Sequence, residues 1–331
     1  MSELRLDIHG WRARLSGDAQ VLEELRRDFA FFVRADLTDF AEELELIGQA
    51  PSPGRLDGWP LWIGRGHRIC VGHGERRISY ADGAAAAFDF TTRRGKVWSA
   101  SPERLRELGY LLVLSRAGEA LDAVGLHRVH ALGFEWKNSA GLLLLPSGGG
   151  KSELALALLR HTEAGILSDD TPLVDSTATA HAFPLRMGFR PSADLSEVPE
   201  RWVRPFLRSD YAPKRVVDYD FFRDRVRGGL PVRWLLIGRK SAGAPKISAI
   251  GDLSAATALL TGLVVGHGVA QMAEYRLRPT DAWGLTRDAF FRARTARALL
   301  RRVQTRTFAL GTNPRGAALA LADFLSASSR Y

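Results

Sequence analysis

The chain predicts an α/β fold in two parts, a small α+β domain over residues 1–125 and a larger core over residues 126–331. Three observations lead there. Leu142 to Leu145 form an unbroken apolar run, which suits a strand buried on both faces. A glycine-rich turn and an Ala/Leu-rich stretch follow it directly, the strand, loop and helix of an α/β unit. The first 125 residues carry short alternating segments instead, as strands with one wet face do.

In the first domain, Leu4 to Ile8 alternates as a strand, Ala19 to Phe32 repeats apolar residues at helical spacing, and Ala41 to Ile47 alternates again. Gly48 to Gly66 is dense in Gly and Pro and reads as a loop or linker, with a short turn around Trp59 and Trp62. Extended segments are predicted at Arg68 to Val71, Arg77 to Tyr80, Ala86 to Thr91 and Lys96 to Trp98, forming an antiparallel sheet. Pro102 to Leu121 reads as a helix opened by Ser101 as cap and Pro102 in the first turn. No chemical motif accompanies these elements. Binding a leader peptide, packing on the core and forming a homo-oligomer all stay open as roles for this domain.

The core starts with a predicted hairpin, Arg128 to Trp136 and Gly141 to Leu145, with His130 near its beginning. Ser147-Gly148-Gly149-Gly150-Lys151-Ser152 makes the next turn, where glycines permit positive φ and let successive N–H groups converge on an anion. Glu153 to Arg160 continues as a helix with Leu154, Leu158 and Leu159 on one side, so the loop sits at a positive helix N-terminus. Lys151 is placed to reach β and γ phosphates, and the Ser152 hydroxyl to ligate Mg²⁺. The general pattern G-x-x-x-x-G-K-[ST] is met except at its first glycine, where Leu145 stands.

After the helix, Gly165 to Ser168 is a short apolar strand ending in Asp169 and Asp170, and Pro172 to Val174 resumes the extended pattern. Carboxylates beside a phosphate site have two tasks, holding the metal and taking the proton of an attacking hydroxyl. A strand running through both would aim them at opposite faces, so one would be the base and the other would serve the metal or a turn. An Asp-Asp-Thr-Pro turn without catalytic role is the competing interpretation. Further on, Val232 to Ile237 reads as a buried strand, Leu253 to Leu263 as a helix, and Gly311 to Leu325 as a helix opened by Asn313 and Pro314.

These residues resemble a known family. SGGGKSELALALL followed by GILSDD is similar to the Walker loop and Asp-Asp segment of HPr kinase/phosphorylase, whose loop also runs S-G-x-G-K-S-E into an Ala/Leu helix. AHAFPLRMGFRP and LPVRWLLIGRK look more like the divergent HPr-kinase-related proteins of natural-product and lasso-peptide clusters. The resemblance spans roughly Val129 to Lys240 and is strong across the loop and the acids. It implies an HPr-kinase/PEP-carboxykinase-like P-loop core with a mixed sheet, and an active-site histidine at His130. ATP and Mg²⁺ would then meet Ser147, Gly148, Gly149, Gly150, Lys151, Ser152 and Glu153, with Ser152, Asp169 and Asp170 at the metal. The family's magnesium-binding glutamate precedes I-R-G-x-G, and Pro184-Leu185-Arg186-Met187-Gly188 matches only its arginine, at Arg186. Asp194 and Glu197 are the acids nearby. One extra residue between Lys151 and the acids leaves open whether Asp169 or Asp170 is the base. Phosphorylase activity and HPr as acceptor are not carried over.

Bulk properties set the remaining bounds. At 331 residues and 46% hydrophobic content, the chain can build proper cores. No apolar run nears the roughly 18 residues of a membrane span, and the start lacks a signal-peptide pattern, so a cytoplasmic protein is expected. Cys70, the single cysteine, reads as a strand residue, and the scattered histidines have no zinc spacing. The net charge of +9 comes mostly from arginines crowded from Arg201 to Lys240 and from Arg287 to Arg306. Arg294, Arg297 and Arg301 recur at helical spacing, as on a solvated face. Arg201-Trp202-Val203-Arg204-Pro205-Phe206 reads equally as a substrate rim and as a core tryptophan with snorkelled arginines. No nucleic-acid signature is present.

The expectation is therefore an ATP-dependent kinase acting on a hydroxyl of a peptide or protein serine. Lys151, Asp169, Asp170, His130 and Arg186 would be the catalytic set, and Arg190 a further candidate for a phosphate or carboxylate. A small-molecule kinase and a nucleotide-binding ATPase or regulatory module without transfer are the alternatives. An ABC-type ATPase would need an LSGGQ signature that the chain lacks.

Overall fold

The computed structural model describes residues 2–51, 59–63, 66–72, 74–207, 212–265 and 282–328. The protein is mixed α/β and divides into two compact units. Of the described residues, the first unit takes those within 2–121 and 204–215 with Ala282, and the second takes those within 122–203, 216–265 and 283–328.

In the first unit, β1 (Ser2–Ile8), β2 (Trp11–Gly17), α1 (Ala19–Asp28) and β3 (Glu42–Ile47) follow in order. Then come β4 (Trp59–Ile63), β5 (His67–Gly72), β6 (Glu75–Tyr80), β7 (Ala85–Asp89), β8 (Arg94–Trp98) and α2 (Pro102–Ala123). The strands share one eight-stranded sheet in the order β1-β2-β3-β8-β7-β6-β5-β4. It is mixed, because β3 runs parallel to both β2 and β8. Alternation does what the sequence predicts. Leu4, Leu6 and Ile8 are buried along β1, and Leu44 and Leu46 along β3, while the residues between them meet solvent more. Ser101 caps α2, its Oγ accepting from Arg104 N at 3.2 Å.

Trp59–Ile63 is a strand where a turn was expected within Gly48 to Gly66. Its pairing with β5 satisfies the backbone, and an edge position tolerates Pro60. Residues 52–58 and 64–65 of that stretch lie outside the described residues. A concavity on the same sheet is lined by Arg14, Glu43, Glu45, Arg94 and Lys96. Its charges answer one another, with Arg14 on Glu43 at 2.5 Å, Arg94 on Glu43 at 3.1 Å and Lys96 on Glu45 at 2.7 Å.

The second unit continues with β9 (His127–Arg128), β10 (Ala131–Trp136), β11 (Ser139–Leu144), α3 (Lys151–His161), β12 (Gly165–Ser168), β13 (Leu173–Val174), β14 (Thr179–His181) and β15 (Arg186–Phe189). β16 (Val203–Phe206) falls almost wholly in the first unit and β17 (Lys214–Asp218) is divided between the two; β18 (Leu230–Arg239), β19 (Lys246–Ala249), α4 (Asp252–Leu259), α5 (Ala282–Arg302), β20 (Gln304–Ala309) and α6 (Pro314–Ser328) follow. The main sheet runs β12-β10-β11-β18-β14-β13-β9, with β20 also on β18 and β19 on β20. β10 and β11 form the predicted hairpin, turned at Lys137 and Asn138, whose φ values of 47° and 61° fit a two-residue primed turn. β11 is parallel to β18, so this sheet is mixed as well.

Both faces of β11 are covered: the adjacent residues Leu142 and Leu143 point opposite ways, and neither is exposed. Leu142 and Leu144 share a core with Leu259, Leu263 and Leu299, which brings α4, the π-helical turn Leu260–Val264 and α5 over one side. α3 packs on β10 and on α6. Arg294, Arg297 and Arg301 lie exposed on α5, as their spacing predicts. Asn313 opens α6, its Oδ1 accepting from Arg315 N at 3.0 Å. Cys70 is a buried strand residue. Among the described residues, no helix is long and apolar enough to cross a membrane.

Of the two readings of Arg201 to Phe206, a substrate rim or a core with snorkelled arginines, Arg204 fits the buried one. Arg204 is only 5% exposed and donates to Asp28 Oδ1 at 2.8 Å and Glu24 Oε2 at 2.5 Å. Arg106 joins the same carboxylates, at 2.9 Å from Glu24 and 3.2 Å from Asp28, with its guanidinium 4.9 Å from the Phe206 ring centroid. A buried guanidinium needs fixed anions, and the acids of α1 supply them. Arg201 is exposed, its guanidinium 5.7 Å from the Trp202 ring centroid.

Candidate functional site

The loop between β11 and α3 closes around a lysine. Gly148 and Gly150 adopt φ of 69° and 101°, which favours glycine by conformation, and a Cβ on Gly149 would meet Pro146 O at 2.8 Å, which favours it by space. α3 begins at Lys151 without a side-chain cap, and geometry denies the first-turn amides of residues 151–153 any intrahelical acceptor. Such an end attracts anions. The Gly149 amide is used within the loop, donating to Pro146 O at 2.9 Å. Ser147 and Gly148 are exposed.

Lys151 is 6% exposed, and its ammonium donates to Leu145 O at 2.8 Å and to His130 Nε2 at 2.9 Å. Asp170 Oδ1 lies 3.3 Å from the same nitrogen. Because an ammonium only donates, His130 Nε2 accepts and the ring proton belongs on Nδ1. That nitrogen stands 3.4 Å from Asp170 Oδ1. The histidine is therefore bonded to the lysine through Nε2, with Nδ1 near the acid but making no hydrogen bond to it. Its backbone is set from another direction, His130 N donating at 3.1 Å to Gly262 O of the π-helical turn.

The two acids differ because the strand ends before them. β12 stops at Ser168, whose Oγ accepts from Thr171 N at 3.1 Å, and the bend lets both carboxylates face the loop rather than opposite sides of a strand. Ser152 Oγ donates to Asp169 Oδ2 at 2.6 Å. Asp169 is 4% exposed, whereas the Asp170 side chain is 53% exposed. Burial pushes the Asp169 carboxyl up to about 6, and neighbouring Asp170 adds to the rise, while hydrogen bonds from Ser152 and Tyr219 hold it back.

Tyr219 is the residue that sequence reasoning missed. It follows β17, is 1% exposed, and touches Asp169 twice: its hydroxyl accepts from Asp169 N at 2.6 Å and donates to Asp169 Oδ1 at 3.0 Å. Burial, with Asp169 beside it, pushes the phenol well above its ordinary value. No local pattern marks a tyrosine fifty residues from its partner. Only the flanking run Val216-Val217, a buried strand leading to it, was there to be read.

The other candidates fall at varying distances. Glu153 lies 3.8 Å from Arg190, beside the loop. Arg186 is half-buried at the start of β15, whose sheet neighbour is β17, the strand before Tyr219. Glu197 pairs with Arg160 at 3.2 Å, near the far end of α3 from Ser152, so it does not replace a metal-binding glutamate at the loop. Asp194 accepts from Ser196 N at 3.0 Å in a local turn.

The donor set suits a hard cation. A hydroxyl and a carboxylate 2.6 Å apart, with a second carboxylate on the next residue, match Mg²⁺, which binds through one or two carboxylates and takes its other ligands from phosphate and water. Among the described residues, no group of three or more His, Cys, Asp or Glu side chains is placed to hold a metal ion by itself. No family model matches the chain, and no curated protein matches it in sequence.

Proposed function

We propose that the chain is an ATP-dependent kinase that transfers the γ-phosphoryl group to a hydroxyl, most suitably a serine of a peptide or protein. The observation that carries this reading is the convergence at one uncapped helix end of Lys151, the Ser152–Asp169 pair and the exposed Asp170. The resemblance of the loop and the acids to HPr kinase/phosphorylase supports it. So does the exposure of Asp170, which a polypeptide segment can reach from outside.

In this mechanism the chain positions groups and neutralises charge. Amides of the first turn of α3 hold phosphate oxygens, and Lys151 neutralises the charge that develops on the transferred group. Ser152 and Asp169 would hold Mg²⁺, which when bound offsets phosphate charge. Asp170 accepts the proton of the attacking hydroxyl, with the Lys151 ammonium 3.3 Å from its Oδ1. The new bond joins the acceptor oxygen to the γ phosphorus, the bond to the bridging oxygen breaks, and ADP leaves with that electron pair. The division of roles follows from exposure: an acid 4% exposed and bonded to Ser152 suits the metal, and one half-open to solvent suits the acceptor.

Calorimetry with ATP and Mg²⁺ tests the first step. Wild type should bind and Lys151→Ala should not; silence in the wild type would discard the assignment. With γ-labelled ATP and serine peptides, Asp170→Asn should keep nucleotide binding and lose transfer about 10²- to 10⁴-fold.

A further inference from the structure

We infer that Tyr219 is the positioning residue that aims Asp169 at the metal, an assignment that rests on the kinase reading above. Asp169 N–H can only donate, so the tyrosine hydroxyl that accepts it at 2.6 Å must send its own proton elsewhere. The acceptor is Asp169 Oδ1, at 3.0 Å. One phenol thus fixes both the backbone and the side chain of the same acid. Ser152 occupies the other oxygen, Oδ2, at 2.6 Å. With Oδ1 committed to Tyr219, Oδ2 is the oxygen left facing the loop, and the carboxylate has a single useful orientation.

Both groups are almost wholly enclosed, Tyr219 at 1% and Asp169 at 4% exposure, so water is a poor substitute for the lost hydroxyl. A ring needed for packing alone would not require the hydroxyl. Partners of this kind, one shell behind a metal ligand, typically change metal affinity about 10- to 100-fold when removed. Tyr219 acts through Asp169 and is a positioning residue, not a catalytic one.

The test is calorimetric and does not depend on turnover. ATP is titrated with Mg²⁺ and again with EDTA, and the gain in affinity due to the metal is compared between wild type, Tyr219→Phe and Phe222→Leu. Phe222 is buried three residues further on, at the kink of the same segment, and its side chain has no polar group to bond Asp169, so its truncation loosens the packing alone. Tyr219→Phe should lose about ten-fold or more of the metal-dependent gain, keep its EDTA affinity, and melt cooperatively. Phe222→Leu should keep the gain. If wild type shows no metal-dependent gain, the kinase reading fails. If wild type shows it and Tyr219→Phe keeps it, or loses it only as far as Phe222→Leu does, the positioning role is overturned.

Discussion

Two clusters of buried charge in this protein are built on opposite principles. In the first unit, Arg106 and Arg204 face Glu24 and Asp28, two cations against two anions, with each guanidinium on both carboxylates. In the second, Asp169 and Asp170 are neighbours in sequence beside one lysine, and burial together with the adjacent Asp170 pushes the Asp169 carboxyl up to about 6. The first arrangement compensates its charges and holds a segment in place. The second leaves like charges together, which costs stability and is retained where chemistry needs it. Burial alone does not distinguish them; the balance of partners does.

The largest effect is expected where that balance is removed. Arg204→Ala leaves Asp28 fully buried with one guanidinium instead of two, and should lower the free energy of unfolding by about 3–5 kcal/mol in chemical denaturation. A loss under 1 kcal/mol would mean that the first cluster is no more than a surface pair and the contrast does not hold.

Asp169→Asn should act in the other direction. The folded carboxyl titrates at about 6 against an ordinary 3.8, so folding favours its protonated form. Wild type has no disadvantage below about 4, loses stability as the pH rises through 6, and levels off with a deficit on the order of 3 kcal/mol. Asparagine carries no such charge. The variant should therefore melt near wild type at pH 4 and above it at pH 8, while phosphoryl transfer is lost. A variant less stable than wild type at pH 8 would show that the acid is held for structure, as in the first unit.

A smaller effect sharpens the contrast by using a cation whose partners are backbone carbonyls. Arg225 donates to Thr162 O at 2.9 Å and Leu159 O at 3.2 Å, and also to Ala164 O, at the C-terminal end of α3. Cation and helix dipole are complementary there, so Arg225→Leu should cost about 1–2 kcal/mol. That loss should resist added salt, because backbone carbonyls and not mobile charges are the partners. A loss that vanishes at high salt would place Arg225 among ordinary surface charges.

Local chemistry was enough for the strand, loop and helix from Leu142 to Arg160, because an apolar run, glycines and Ala/Leu spacing each dictate backbone state without distant partners. The same holds for the alternating strands of the first unit and for the caps at Ser101 and Asn313. Lys151, Ser152, Asp169 and Asp170 were legible as a group, since phosphate and metal chemistry constrain residue type over a short span. What needed three dimensions was every pairing across long separations. Arg204 read equally as part of a rim or of a core, and Asp28 and Glu24, 176 and 180 residues away, decide it. Trp59 to Ile63 looked like a loop until β5 supplied an edge partner that Pro60 could accept. Tyr219 reached Asp169 only after β17 had been folded into place beside β15. Residue type and spacing determine local conformation, but which buried polar group finds which partner depends on how the sheets order their strands, and that order is not written in any one stretch of the chain.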